Sequence, residues 1–215
     1  GTLLDVDSAM RAHAGRLGSE WQRISREWRT KHLEYSWVRT LAGAPHRDFW
    51  QLARESLDVV AERNGIADRA LLDDVLAAYR RLDAYPEVPN ALRALRGKGI
   101  ACAIYSNGTP EMLAEAASHA GIADLLDAIL SVEAAGIFKP HPRGYRLATD
   151  HFGLNAEEMA FFSSNAWDAF GAGVFGFRVF WVNRASQPAE YELASSATVL
   201  DDLRNVPLER PDGRD

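Results

Sequence analysis

The feature that most limits how this chain can fold is a change of period near residue 85. Residues 19–82 carry apolar side chains at helical spacing. Trp21, Ile24, Trp28, Tyr35 and Val38 form one stripe; Phe49, Leu52, Ala53, Leu57 and Val60 a second; Leu72, Val75, Leu76, Tyr79 and Leu82 a third. Turn signals at Gly43-Ala44-Pro45 and Asn64-Gly65 separate them, and Ser19-Glu20-Trp21-Gln22 reads as a capping box. From Tyr85 short apolar runs alternate with helical segments. The pattern predicts strands at 100–105, 128–132, 159–162 and 179–182, and helices at 89–97, 109–121 and 142–151. That order implies an α/β fold with a parallel sheet covered by helices.

The 215 residues are 47% apolar, enough for one large domain or one domain with an insert. A net charge of −6 gives no basic footprint for nucleic acid. The single cysteine, Cys102, permits no internal disulfide and points to an intracellular, cytoplasmic protein. No apolar run approaches the ~20 residues that span a bilayer, so no membrane partner is expected. Residues 205–215 read as a loose polar tail. Gly1-Thr2-Leu3-Leu4-Asp5 reads as the exit from a strand. A sheet lacking its central strand leaves buried amides unpaired at ~1–3 kcal/mol each, so further residues are expected before Gly1.

Four polar clusters follow strand-like runs, which places them at one end of a parallel sheet. They are Gly1-Thr2, Ser106-Asn107-Gly108, Phe138-Lys139-Pro140 and Ser163-Ser164-Asn165-Ala166-Trp167-Asp168, the last preceding a helix read to start at Gly171-Ala172-Gly173. Ser106 and its neighbouring amides suit a carboxylate or phosphate; the plainer reading is a turn. Lys139, held extended before a proline, suits a buried carboxylate; the plainer reading is a snorkelling surface lysine. Arg29, in an aromatic-rich helix, suits a departing anion, whereas Arg23, Arg26 and Arg39 read as solvated. Leu33, Phe49 and Trp167 suit an apolar pocket wall, with ordinary core packing as the alternative. The six histidines lack metal-ligand spacing, and no Gly-x-Ser-x-Gly elbow occurs.

On these segments the chain resembles the L-2-haloacid dehalogenases, the type II group of the haloacid-dehalogenase superfamily, over roughly residues 1–203. The matching stretches are Gly1–Asp5, Trp28-Arg29-Thr30-Lys31-His32-Leu33-Glu34-Tyr35-Ser36-Trp37, Tyr105–Gly108, Phe138–Pro142 and Ser163–Asp168. The resemblance implies a Rossmann-like parallel-sheet core at 1–12 and 84–215, with an inserted helical cap subdomain at 13–83. It implies hydrolysis of a short L-2-haloacid to the D-2-hydroxy acid through an aspartyl ester, with no cofactor. The attacking aspartate is expected just upstream of Gly1. Thr2 then stands beside the nucleophile, Arg29 and Asn165 receive halide, Ser106 and Asn107 hold the substrate carboxylate, and Lys139 pairs with the nucleophile. Tyr145 and Ser163 support by hydrogen bonding, Asp168 prepares the hydrolytic water, and Leu33, Phe49 and Trp167 line the apolar wall. The implied partners are a 2-haloalkanoic acid, a halide ion and a second copy in a homodimer. In magnesium-dependent phosphatases of the superfamily the last cluster is richer in carboxylates. Here Ser163 and Asn165 leave only Asp168, so no metal site is expected, because magnesium needs hard oxygen ligands. Such a phosphatase and an inactive carboxylate-binding scaffold are the competing readings.

Overall fold

The computed structural model describes residues 1–206; positions 207–215 of the expected polar tail lie outside the described residues. Strand β1 (Leu4–Asp5) leads into five helices, α1 (Ser8–Arg11), α2 (Ala14–Leu17), α3 (Trp21–Leu41), α4 (Phe49–Arg63) and α5 (Arg69–Tyr79). The chain then returns through β2 (Asp83–Ala84), antiparallel to β1 with Leu4 opposite Ala84 and Asp5 opposite Asp83. The Tyr85 N–H donates to the Leu3 carbonyl at 3.1 Å, extending that pairing. The helical segment therefore leaves and re-enters at neighbouring points, which is the geometry of an insert. Periodicity predicts neither short strand, since two residues carry no period.

The remainder alternates as α6 (Val88–Gly97), β3 (Ala103–Ser106), α7 (Pro110–His119), β4 (Ala128–Ser131), α8 (Pro142–Phe152), β5 (Ala160–Ser163), α9 (Ala166–Phe175), β6 (Arg178–Val182), α10 (Leu193–Ser196) and β7 (Thr198–Leu200). β3 and β4 pair in parallel, as do β5 with β6 and β6 with β7. The fold is α/β with a helical insert; among the described residues the parallel strands form two separate sheets, β3–β4 and β5–β6–β7, instead of the single sheet expected, and they are together called the sheet below. α10 and β7 are not predicted, being too short for a periodic signal. The predicted strand from Ile100 is paired only from Ala103.

Local chemistry explains most boundaries. Thr109 Oγ1 accepts from the Met112 N–H and Pro110 opens the first turn, as expected for α7. The expected capping box at Ser19 is absent: α3 follows Glu20, and no side chain caps it. A backbone turn serves instead, with the Trp21 N–H donating to the carbonyl of Gly18, whose φ is +76°. A capping box does form at α4, where Asp48 and Gln51 exchange side-chain and backbone bonds. The first apolar stripe also fails along its length. Ile24 and Trp28 are buried, but Val38 is 55% exposed, and His32 and Ser36 occupy the buried face instead. His32 packs there against Phe49 of α4, and the Ser36 hydroxyl donates back to the Leu33 carbonyl of its own helix. α9 starts at Ala166, earlier than the glycine cluster suggested. Gly171 is instead a packing residue: a Cβ there would sit 2.7 Å from both Pro140 Cβ and the Tyr145 hydroxyl.

The insert has its own core, built by Trp28, Leu57, Val60, Leu72, Val75 and Leu76, with Met10 of α1 packed into it from the preceding segment. The Trp28 indole N–H donates to the Ala53 carbonyl at 3.0 Å, so α3 and α4 share a satisfied buried bond. A further cluster joins insert to sheet: Phe49 and Leu52 of α4 meet Met112 of α7, Val132 and Phe138. These contacts bring α3 and α4 over the carboxyl ends of β3 and β4.

The Asp48 cap is the exposed device on which the start of α4 relies. Asp48→Ala should lower unfolding free energy by about 1 kcal/mol in urea titrations. Ser19→Ala should change it by less than about 0.5 kcal/mol. Equal losses in both would place the helix-start signal at Ser19 after all.

Candidate active site

Asp168, in the first turn of α9, organises the site. It is 5% exposed. Its Oδ1 accepts from the Tyr145 hydroxyl at 2.7 Å. Its Oδ2 accepts from the Ser163 hydroxyl at 2.9 Å and from Lys139 Nζ at 3.1 Å. The carboxylate is thus paired and hydrogen-bonded, as a buried charge must be. Removing one partner of such a pair costs about 3–5 kcal/mol. Burial, reinforced by the nearby Asp168 charge, raises both Tyr145 and Tyr105 well above the ordinary phenol range. Both stay protonated, and Tyr145 therefore donates.

Lys139 is as buried as its partner, which rules out a solvated surface lysine. Its backbone N–H donates to Asn107 Oδ1 at 3.0 Å, and its ammonium also donates to the Tyr105 carbonyl at 3.1 Å. The ammonium lies 4.7 Å and 5.0 Å from the ring centres of Tyr105 and Phe161, within cation–π range.

Arg29 crosses from α3 of the insert to the loop after β5. Its Nη2 donates to Asn165 Oδ1 at 2.8 Å. The Asn165 backbone N–H in turn donates to Ser163 Oγ at 3.2 Å. With Oδ1 committed to Arg29, the Asn165 side-chain N–H2 is the end left to meet an acceptor. Thr2 Oγ1 accepts from the Ser164 N–H at 3.0 Å, so Thr2 lies beside the same loop. Arg184, paired with Glu87 at 2.7 Å, donates to the carbonyls of Gly1 and Thr2.

Ser106 closes β3, and its Oγ accepts from the Gly108 N–H at 3.1 Å. That bond leaves the hydroxyl proton available for a carboxylate. Phe49 and Leu33 belong to one apolar cluster with Phe138. Trp167 is held separately, edge-on to Trp37 with ring centres 5.2 Å apart. The structure therefore links Arg29, Asn165, Ser163, Asp168, Lys139, Tyr145 and Asn107 by hydrogen bonds, with Thr2 joined through the Ser164 N–H and Ser106 next to Asn107 in the chain, while the apolar wall is in two parts. Arg39 departs from the solvated reading: it is half-buried and donates to the Pro45 carbonyl at 2.6 Å.

Among the described residues, no three His, Cys, Asp or Glu side chains converge as metal ligands, and no helix is long and apolar enough to cross a membrane.

The chain is similar to known proteins in sequence and in fold. The family model of haloacid dehalogenase-like hydrolases matches residues 1–176. (S)-2-haloacid dehalogenase 1 of Pseudomonas sp. (strain CBS-3) is 43% identical over 208 residues, which cover 96% of this chain and 91% of that protein. The chain belongs to the (S)-2-haloacid dehalogenase family. The solved L-2-haloacid dehalogenase from Xanthobacter autotrophicus with chloropropionic acid covalently bound superposes with a TM-score of 0.87. It is 35% identical, with 95% of this chain and 92% of that chain covered. A further dehalogenase crystal structure reaches a TM-score of 0.94 at 41% identity, covering 99% and 94%.

Three contributors in this family member escape sequence reasoning. Tyr105 supplies a carbonyl and a ring face to Lys139. Ser131 Oγ donates to the Gly108 carbonyl at 2.6 Å and braces the Ser106 loop. His32 sits next to Phe49, with ring centres 3.8 Å apart and Nε2 2.9 Å from the Phe49 carbonyl. That distance makes Nε2 the protonated nitrogen. Nothing in the local sequence separates these residues from core or loop; only contacts distant in sequence do.

Burial pushes the His32 imidazole down to about 3, with Arg29 adding to the drop and the Phe49 carbonyl opposing it. The folded value lies below the unfolded value near 6.5. His32 therefore adds stability above pH 6.5, lost progressively as pH falls toward 3. Melting temperature should fall more steeply between pH 6.5 and 4 in the native protein than in His32→Gln, which cannot charge. The variant should be less stable at pH 7, having lost the shape match to Phe49. Parallel acid slopes would mean that His32 is not buried neutral.

Proposed function

We propose that this protein hydrolyses short L-2-haloacids to D-2-hydroxy acids through an aspartyl-ester intermediate. The observation that carries the reading is the Arg29–Asn165 contact, a cation and an amide brought from insert and sheet to one point beside the Lys139–Asp168 pair. In this reading an aspartate preceding Gly1 attacks the substrate Cα and the carbon–halogen bond breaks. The bonding electrons leave with halide, toward the Arg29 guanidinium and the Asn165 N–H2. Ser106 donates to the substrate carboxylate, and Asn107 fixes Lys139 through its backbone. The Lys139 ammonium balances the negative charge of the nucleophile. Water, prepared by Asp168, then attacks the ester carbonyl carbon, releasing the hydroxy acid, one proton and the original carboxylate. This is covalent catalysis by a carboxylate with preorganised donors for the leaving anion. Tyr145 and Ser163 keep Asp168 in place; Leu33, Phe49 and Trp167 face the alkyl part of the substrate.

The reading takes residues 13–83 as the cap and 1–12 with 84–215 as the core, supported by the β1–β2 pairing at the base of the insert. It takes the chemistry as metal-independent, because Ser163 and Asn165 stand where a magnesium site would need carboxylates and Asp168 is the one acid of that loop. It places the enzyme in the cytoplasm as a homodimer. The buried free Cys102 supports the first; the second rests on the family resemblance.

Leaving-group stabilisation acts mainly in the transition state, so its loss appears in kcat. In the full-length protein Arg29→Lys should lower kcat on L-2-chloropropionate by ~100-fold, by analogy with removal of an oxyanion donor. Arg26→Lys, on the exposed side of α3, should leave it within about two-fold. Equal losses would assign halide to another residue.

A second assay addresses the phosphatase alternative. Excess chelator should leave dehalogenase activity unchanged. Activity lost to chelator and restored by magnesium would sink the metal-independent reading.

A further inference from the structure

The edge of the insert that lies over the site is tied to the sheet at one acidic residue, Glu133. It lies in the short turn Val132–Ala135 after β4. One carboxylate oxygen accepts from the Phe49 backbone N–H at 3.1 Å, at the first residue of α4. The other lies 2.5 Å from His46 Nε2, in the α3–α4 loop. The His46 ring stacks on Phe138, with centres 5.4 Å apart and planes 29° off parallel. The Phe138 N–H points to Thr40 Oγ1 at 3.4 Å. Loop and helix start are thus held where Phe138 leads into Lys139.

Glu133 is braced in turn by Ser131. Ser131 Oγ accepts from the Glu133 N–H at 3.2 Å and donates to the Gly108 carbonyl at 2.6 Å. One chain of bonds therefore runs from the insert through Glu133 and Ser131 to the loop that carries Ser106 and Asn107. Both Glu133 and His46 are partly shielded, with side-chain exposures of 17% and 33%. Arg29 meets Asn165 across the same boundary, so the halide contact exists only while insert and sheet stay together.

We propose that Glu133 is a positioning residue that latches the α3–α4 edge of the insert onto the sheet and so keeps Arg29 and Phe49 over the substrate site. It touches no reacting atom. Without the latch the closed form is less populated, and apparent substrate affinity falls by the closed fraction. Saturating substrate recloses the insert with its own contacts, so kcat survives. The inference rests on the proposed dehalogenase activity.

The test uses the full-length protein and L-2-chloropropionate. Glu133→Ala and His46→Gln should each raise KM by about five-fold or more while kcat stays within about two-fold. Glu133→Gln keeps an acceptor for the Phe49 N–H and should fall between wild type and Glu133→Ala. The Glu133→Ala/His46→Gln double variant should be less impaired than the two single effects combined, since both singles remove the same His46–Glu133 contact. Hydrogen exchange at amides 42–49 should quicken in Glu133→Ala without substrate. A merely structural role would lower melting temperature and active fraction, so kcat would fall at unchanged KM; that result overturns the proposal. So does unchanged KM in both single variants, whatever the exchange. A wild type inactive on the haloacid would defeat the proposed function instead, and exchange at 42–49 would then decide the latch alone.

Discussion

The buried Lys139–Asp168 pair is the constraint to which the rest of the site answers. Two opposite charges removed from water are tolerable only with close geometry and further hydrogen bonds. Every nearby element supplies one. β5 ends in the Ser163 hydroxyl, α8 presents Tyr145, and β3 offers the Tyr105 carbonyl. α9 must approach closely enough for its first turn to reach the ammonium, and Gly171 permits that approach by leaving room for Pro140 and the Tyr145 hydroxyl. A site of this kind is preorganised because its parts also hold one another's charge.

The insert adds what the sheet lacks, a cation above the strand ends. A lone guanidinium on a helix is ordinarily solvated. Arg29 is not, because the Trp28–Ala53 bond and the shared apolar core fix the rotation of α3 against α4. His32 completes that packing as a neutral ring whose N–H is spent on Phe49. The same helix thus turns one face to the insert's core and Arg29 toward Asn165. Long-range bonds at Glu133 and Phe138 then set where this rigid unit rests.

Much of the fold was legible before any coordinates. The second helical stripe is buried as its spacing predicts, as are Leu72, Val75 and Leu76 of the third, although Tyr79 is half-buried and Leu82 lies beyond the helix end; Thr109-Pro110 starts its helix as such pairs do. The failures have physical causes. Ser19 offers a capping hydroxyl, but a backbone turn at Gly18 meets the need first. Val38 keeps helical period yet faces outward, because Ser36 and His32 take the buried positions. The short strands β1, β2 and β7 carry too few residues to show alternation.

Residue type and local spacing determined which groups are available: a lysine before proline, an arginine among aromatics, and Ser-Ser-Asn-Ala-Trp-Asp after an apolar strand. They also determined the α/β class, because hydrophobic period and helix caps are local properties. Tertiary structure decided which of those groups are paired. Arg29 and Asn165 are 136 positions apart, and Lys139 and Tyr105 are 34. Burial, and with it the neutral state of His32, depends on what packs around a side chain from distant segments. Tyr105, Ser131 and Glu133 look like ordinary strand and turn residues in sequence. Their roles come from partners that only the folded chain brings within hydrogen-bonding distance.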